Sequence, residues 1–409
     1  MISSITIPAR CGAIVLATLF VRLAVADEPA SAPPATADSP ADASSPQAAL
    51  QRLAASIEQP REALELVGQL PRELTAADRA RLRMADAAIG NRRGDGFAEL
   101  SREMLLALAR QADDQSLAYL HEVFESLAER RGDAAEAIAN YAMAERRRAA
   151  DWRLLVRALP LLESGQATTV LTALRKFPER GTKPQWQREV ILAGLRTDET
   201  GQVAAAELLS YWTGLKSPPA AKSPSPGSIA DWQAWFRDRH ADLPPAELPR
   251  DAEQAKYRWA ELLPLVYGDA VSAAEASVGE AVFEKAQCVK CHRFGARGEA
   301  MGPDLTSTRL RYARREMLQA ILFPSHSIAE QYETMVLVTD SGKVFSGVVE
   351  ARGNTVTVLQ ANGEKATLDR KSIDDIQTSA RSAMPDGLLE PLTEDEIAAL
   401  FAYLYQRRE

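Results

Sequence analysis

The sequence predicts a mainly α chain: a solenoid-like helical region joined to a C-terminal α domain that carries a small antiparallel β insertion. Three observations predict it. Apolar residues recur at helical spacing across the first half, as in the stripe Ala63, Leu66, Val67 and Leu70 and in the clusters Leu105, Leu106, Leu108 and Val170, Leu171, Leu174. Between about 330 and 378 the period changes to two, and Val and Thr become frequent. Composition agrees, with 46% hydrophobic and only 6% aromatic residues in 409, more chain than one core needs. No repeat consensus recurs cleanly enough to assign a period, and an irregular bundle competes with the solenoid reading.

Residues 1–26 read as a signal peptide. Arg10 closes a positive start, Cys11 to Phe20 are almost wholly apolar, and Ala24-Val25-Ala26 offers small residues for cleavage after Ala26. Arg22 interrupts the apolar run short of the ~20 residues that a bilayer crossing needs, so no membrane span is expected to survive cleavage. The predicted location is periplasmic or otherwise exported. Residues 27–47, almost all Ala, Pro, Ser, Asp and Thr, cannot bury enough apolar surface to fold and predict a disordered linker.

Residues 48–215 carry eight to ten predicted helices, broken at Arg93-Gly94-Asp95-Gly96 and Arg131-Gly132-Asp133. A second Pro/Ser linker occupies 216–228. A Trp-rich helical segment follows over 229–271, where Trp232, Trp235 and Phe236 are expected to cap the helical region rather than form a ligand platform. His121 and His240 read as isolated, not as metal ligands.

The last domain is predicted over 272–409. Ser277 and Glu280 suggest a capping box at a helix start. Leu310, Met317 and Ile321 mark a further helical stretch that Pro324 stops. Strands are expected over 332–339, 343–351, 355–360 and 365–368, as a meander or a closed barrel. Thr393 and Glu396 form another capping box, opening a terminal helix with Ile397, Leu400, Phe401 and Leu404 on one face.

The 48 Lys+Arg against 56 Asp+Glu, with no long basic run, give no support for a nucleic-acid partner. Three cysteines cannot build a disulfide framework, and signal removal would leave two. Those two stand in Cys288-Val289-Lys290-Cys291-His292. Thiols at this spacing can add to the two vinyl groups of a haem while the adjacent imidazole reaches the iron, so the motif predicts one covalent haem c. A zinc site would need further Cys/His ligands, a thioredoxin-type pair would open a helix after a strand, and a disulfide between the two would close a strained small loop.

A sixth ligand is sought among thioethers. Met384, in Ser382-Ala383-Met384-Pro385, is preferred; Met301 follows too closely on His292 to reach the far face easily, and His326 is a third choice. Met317 and Met335 read as core. Arg309, Arg311, Arg314 and Arg315 form a basic cluster in which one guanidinium, Arg311 being our choice, would pair with haem propionates, the alternative being a solvated helix face.

The order of these features resembles class I cytochromes c: a helix with Gly279 and Phe283, the Cys-x-x-Cys-His, Gly302-Pro303-Asp304-Leu305, Met384-Pro385, and a terminal Phe401-Ala402-Tyr403-Leu404. The resemblance implies that the Pro303 carbonyl accepts a hydrogen bond from the His292 imidazole and that Leu305 joins the haem-binding residues. It also implies that the first and last helices cross at Gly279 with Phe401 nearby. The His292-to-Met384 interval is longer than in a minimal cytochrome and holds the β insertion. With Phe323-Pro324-Ser325 and the Ser-x-Met-Pro, residues 273–409 look like the haem-binding domain family recurrent in exported proteins of planctomycetes and verrucomicrobia, where it often follows helical repeats. No dehydrogenase propeller is legible here. The function expected from these readings is that of an exported monohaem cytochrome passing single electrons to or from a partner protein, which the helical region would dock. A five-coordinate haem enzyme or sensor, or a helical scaffold with an accessory haem, are the alternatives.

Overall fold

The computed structural model describes residues 45–406, apart from 145, 146, 220, 225 and 242. The predicted signal peptide and most of the first linker lie outside the described residues. Within them the chain is mainly helical, with seventeen α-helices and one five-stranded antiparallel sheet near the C-terminus.

Ten helices fill the first half: α1 (Pro46–Ala55), α2 (Pro60–Gly68), α3 (Ala76–Ile89), α4 (Phe97–Arg110), α5 (Asp114–Ser126), α6 (Arg131–Met143), α7 (Ala149–Ala158), α8 (Ser164–Leu174), α9 (Pro184–Leu195) and α10 (Glu199–Thr213). Their starts are written in the sequence. Pro occupies the first turn of α1, α2 and α9, where a missing N–H costs nothing. Ser45, Thr75, Asp113 and Asp198 accept hydrogen bonds from first-turn amides of α1, α3, α5 and α10. Successive helices pack in pairs, α1 on α2 through α9 on α10, and α2, α4, α6, α8 and α10 form a continuous row of neighbours.

One predicted break is corrected. Arg131 and Gly132 do not interrupt the array but open α6; the turn lies just before, in the 3-10 segment Ala128–Arg130. The charge of Asp133 misled the reading, because that carboxylate is buried and held by Arg93 and by Gln166 Nε2 at 2.8 Å.

Ser228 caps α11 (Ile229–Arg239) in a reciprocal box with Asp231. Trp232 and Phe236 are fully buried in the core shared by α4 to α11, and Trp235 packs edge-on to Trp232 at 5.4 Å. His121 Nε2 lies 2.8 Å from Asp151 Oδ1.

A separate apolar cluster organises α12 (Trp259–Tyr267), α13 (Asp269–Ala273), α14 (Ala276–Lys285), α15 (Thr308–Arg311), α16 (Arg314–Leu322) and α17 (Glu394–Tyr405). Helix α14 begins two residues earlier than expected: Glu275 is its N-cap and Ser277 lies inside it, so the Ser277–Glu280 box is not formed. Thr393 and Glu396 do form theirs at the start of α17.

The sheet contains β1 (Thr334–Thr339), β2 (Val344–Arg352), β3 (Thr355–Leu359), β4 (Lys365–Asp369) and β5 (Ile373–Ser379), in the order β4-β3-β2-β1-β5. It is an open sheet, not a closed barrel, since β4 and β5 are its edges. Strand β5 escaped the sequence reading because five consecutive residues, from Asp374 to Thr378, are exposed and most are polar. The described residues belong to one compact unit. No helix among the described residues is long and apolar enough to cross a membrane.

Candidate functional site

Helix α14 meets α17 more closely than any Cβ at position 279 would permit. A methyl group there would collide with the Ala399 carbonyl oxygen and lie 2.6 Å from Tyr403 Cβ, so glycine sets the approach of the two helices. The crossing anticipated at Gly279 is present, but the aromatic beside it is Tyr403, whose ring is 5.8 Å from Phe283 and 4.5 Å from Phe294. Phe401 is buried elsewhere in the same core, stacked on Tyr405 at 6.1 Å.

At the end of α14 the chain turns through Gln287, which has φ +61°. Cys288 to Lys290 then form a 3-10 turn, and the His292 amide donates to the Cys288 carbonyl at 2.9 Å. One tight turn thus carries both thiols and the imidazole. The chain returns when the Gly302 amide bonds to Cys291 O at 2.7 Å and Leu305 N to Arg293 O at 2.8 Å. This brings Pro303 O to 2.9 Å from His292 Nδ1. A carbonyl can only accept, so Nδ1 carries the proton and the lone pair is left on Nε2, the tautomer that an Nε2-ligating histidine requires. Gly302 permits this: its Cβ would be 2.8 Å from His292 Cε1.

These residues face a cavity of about 420 Å³. Cys288, Cys291, His292, Pro303 and Leu305 line it, and so does Met384, ninety-odd residues later in sequence. Met301 and His326 line it as well. Leu400 and Leu404 of α17, Met317 and Ile321 of α16, and Val348 and Leu359 of the sheet make much of the remaining apolar wall. The size and the apolar lining are those of a small-molecule or cofactor site. Both cysteines are free thiols. Among the described residues, no three His, Cys, Asp or Glu side chains are grouped so as to hold a metal ion by themselves.

Burial governs the titration of the site. It pushes the Cys288 thiol up to about 12 and raises Cys291, with Lys290 opposing the latter. It lowers the His292 pKa, against the opposite pull of the Pro303 hydrogen bond, so the ring is neutral at neutral pH. His326 falls to about 4 through burial and the nearby Arg188 and Arg196.

The basic cluster divides between solvent and the helical region. Arg311 does not line the cavity: it is exposed, lies over the Tyr312 ring at 5.3 Å and reaches the Asp304 carbonyl at 3.4 Å. Arg314 pairs with Glu129 at 3.2 Å and Arg315 with Glu163 at 3.2 Å, both acids belonging to the helical region. Partners 150 or more residues away leave no local signal. The same is true of Pro160 and Leu161, which close part of the cavity from the helical region.

Glu316 is a further cavity residue that sequence reasoning missed. Its Oε2 accepts the Ala313 amide at 2.7 Å, and burial, with Glu129 adding to it, lifts its carboxyl to about 7. A carboxyl whose folded pKa exceeds its ordinary 4.5 contributes stability fully below that value and loses it as pH rises through about 7. Glu316→Gln, which keeps an acceptor for Ala313, is therefore expected to leave stability near wild type at about pH 4 and to exceed it by about 2 kcal/mol at about pH 8. Denaturant titrations at the two pH values measure the difference.

No protein-family model matches the chain, and no curated protein matches it.

Proposed function

We propose that this chain carries one haem c attached through Cys288 and Cys291, with His292 Nε2 and the Met384 thioether as iron ligands, and exchanges single electrons with a partner protein. One observation carries the reading: both thiols, an imidazole whose tautomer is set by Pro303, and Met384 line a single apolar cavity. Haem, when bound, supplies a one-electron couple whose potential follows axial ligation and burial. The chain's own residues do the rest. The 3-10 turn holds the two thiols and the imidazole together, Pro303 fixes the imidazole tautomer, and the Leu400, Leu404, Val348 and Leu359 walls exclude water.

The paired stacking of α1 to α10, with one continuous row, supports a solenoid-like surface on which a redox partner would dock. The residue 1–26 pattern supports export, which places the thiols outside the cytosol. Ligation by both His292 and Met384 would leave the iron no free position for a substrate, which favours a carrier over an enzyme.

Intact-mass measurement of the mature chain tests the assignment: the expected mass is that of the polypeptide from Asp27 plus one haem, and a mass without haem overturns it. In the holoprotein, Met384→Ala is expected to lower the reduction potential, by on the order of 100 mV, because a thioether ligand raises it. An unchanged potential and spectrum would remove Met384 from the iron.

A further inference from the structure

The Met384 loop is tied to the helical region by a short run of hydrogen bonds. Met384 N donates to Ser382 Oγ at 3.1 Å. Ser382 N donates to Ser325 Oγ, also at 3.1 Å. The next residue, His326, offers its carbonyl to Arg188 Nη2 at 2.8 Å. Arg188 belongs to α9, and its Nε reaches the carbonyls of Pro244 and Pro245 at 3.0 and 3.1 Å. One guanidinium therefore spans three segments far apart in sequence.

This arginine is unusual in its setting. The residue is 6% exposed, and among the described residues its carboxylate neighbour is Glu189 at 3.4 Å. A charge taken out of water costs several kcal/mol unless hydrogen bonds repay it, and here most of the repayment comes from main-chain carbonyls. The fold thus spends a buried cation on fixing backbone. The backbone it fixes beyond the helical region, at His326, is a cavity wall: Phe323, His326 and Tyr332 of this segment all line the site. A second arginine repeats the arrangement. Arg196 Nη2 donates to Leu159 O at 2.7 Å, beside Pro160 and Leu161.

We propose that Arg188 and Ser325 are positioning residues for Met384, so that the helical region holds the thioether in place for the iron. The inference rests on the haem reading above and adds a role for the helical region that docking alone does not require. Neither residue touches the cofactor; each acts through the backbone that carries the ligand. Release of the loop would let the thioether leave the iron more often and open a position to small ligands.

Ser325→Ala and Arg188→Met, each in the full-length holoprotein, test it by the rate of carbon monoxide binding to the reduced form and by the sulfur-to-iron charge-transfer band. The expected result is about five- to tenfold faster binding in Ser325→Ala, the equivalent of one net hydrogen bond, with a weakened band and recovery in Ser325→Thr. Arg188→Met, which releases three carbonyls, is expected to show the larger effect. Rates and band equal to wild type in Ser325→Ala overturn the proposal even if Arg188→Met misfolds. A colourless wild-type chain overturns the haem reading instead. Hydrogen exchange then decides the positioning role: faster exchange at the Ser382 and Met384 amides in Ser325→Ala supports it, and unchanged exchange overturns it.

Discussion

Cys288→Ala combined with Cys291→Ala is expected to give a chain that retains no haem through denaturing purification and melts well below the wild-type holoprotein. The thiols are the only covalent anchors the motif offers, and His292 with Met384 would leave a dissociable ligand. A cavity of about 420 Å³ without contents forfeits the dispersion contacts of its whole lining, a loss of several kcal/mol by analogy with smaller engineered voids. Absorbance after acid–organic extraction measures the first effect and a thermal scan the second. Equal colour in the double variant and wild type after extraction would show that the cysteines do not hold the group.

The second large effect is expected at Gly279. In a helix interior, Gly→Ala ordinarily gains about 1 kcal/mol. Here the added methyl meets the Ala399 carbonyl and Tyr403 Cβ, neither of which can rotate away, so α14 and α17 must separate. Overpacking of this kind costs about 3 kcal/mol, and the net expectation is a destabilisation of about 2 kcal/mol. Since these two helices carry Phe283, Leu400 and Leu404 to the cavity, Gly279→Ala should also perturb the haem spectrum. A Gly279→Ala protein as stable as wild type would mean that the helices tolerate a wider crossing than the structure has.

Much of the helical character was readable because its signals are local. Prolines at first turns, Thr393 with Glu396, and the stripe from Ile397 to Leu404 each lie within a few residues of what they determine. The residues at the cavity were readable for a different reason: two thiols and an imidazole are compressed into five positions, Cys288 to His292, and Pro303 and Met384 stand in short motifs of their own. What escaped the sequence depends on distance or exposure. Strand β5 presents polar residues along an open edge, so no alternation marks it. Arg314 and Arg315 look like solvent-facing or ligand-facing cations until Glu129 and Glu163 are brought beside them. Asp133 looks like a turn residue until Arg93 and Gln166 bury it. Pairings of this kind belong to the tertiary structure and have no period.

The cavity wall draws on residues as early as Pro160 and as late as Leu404. It is therefore complete only after the last helix has been synthesised and has settled against α14. Cys288, in that finished state, is half-buried and its thiol is pushed up to about 12, a poor condition for forming a thioether bond. If the chain carries the proposed haem, loading would then belong to a chain still open at its C-terminal end, with α17 closing behind it as the latch.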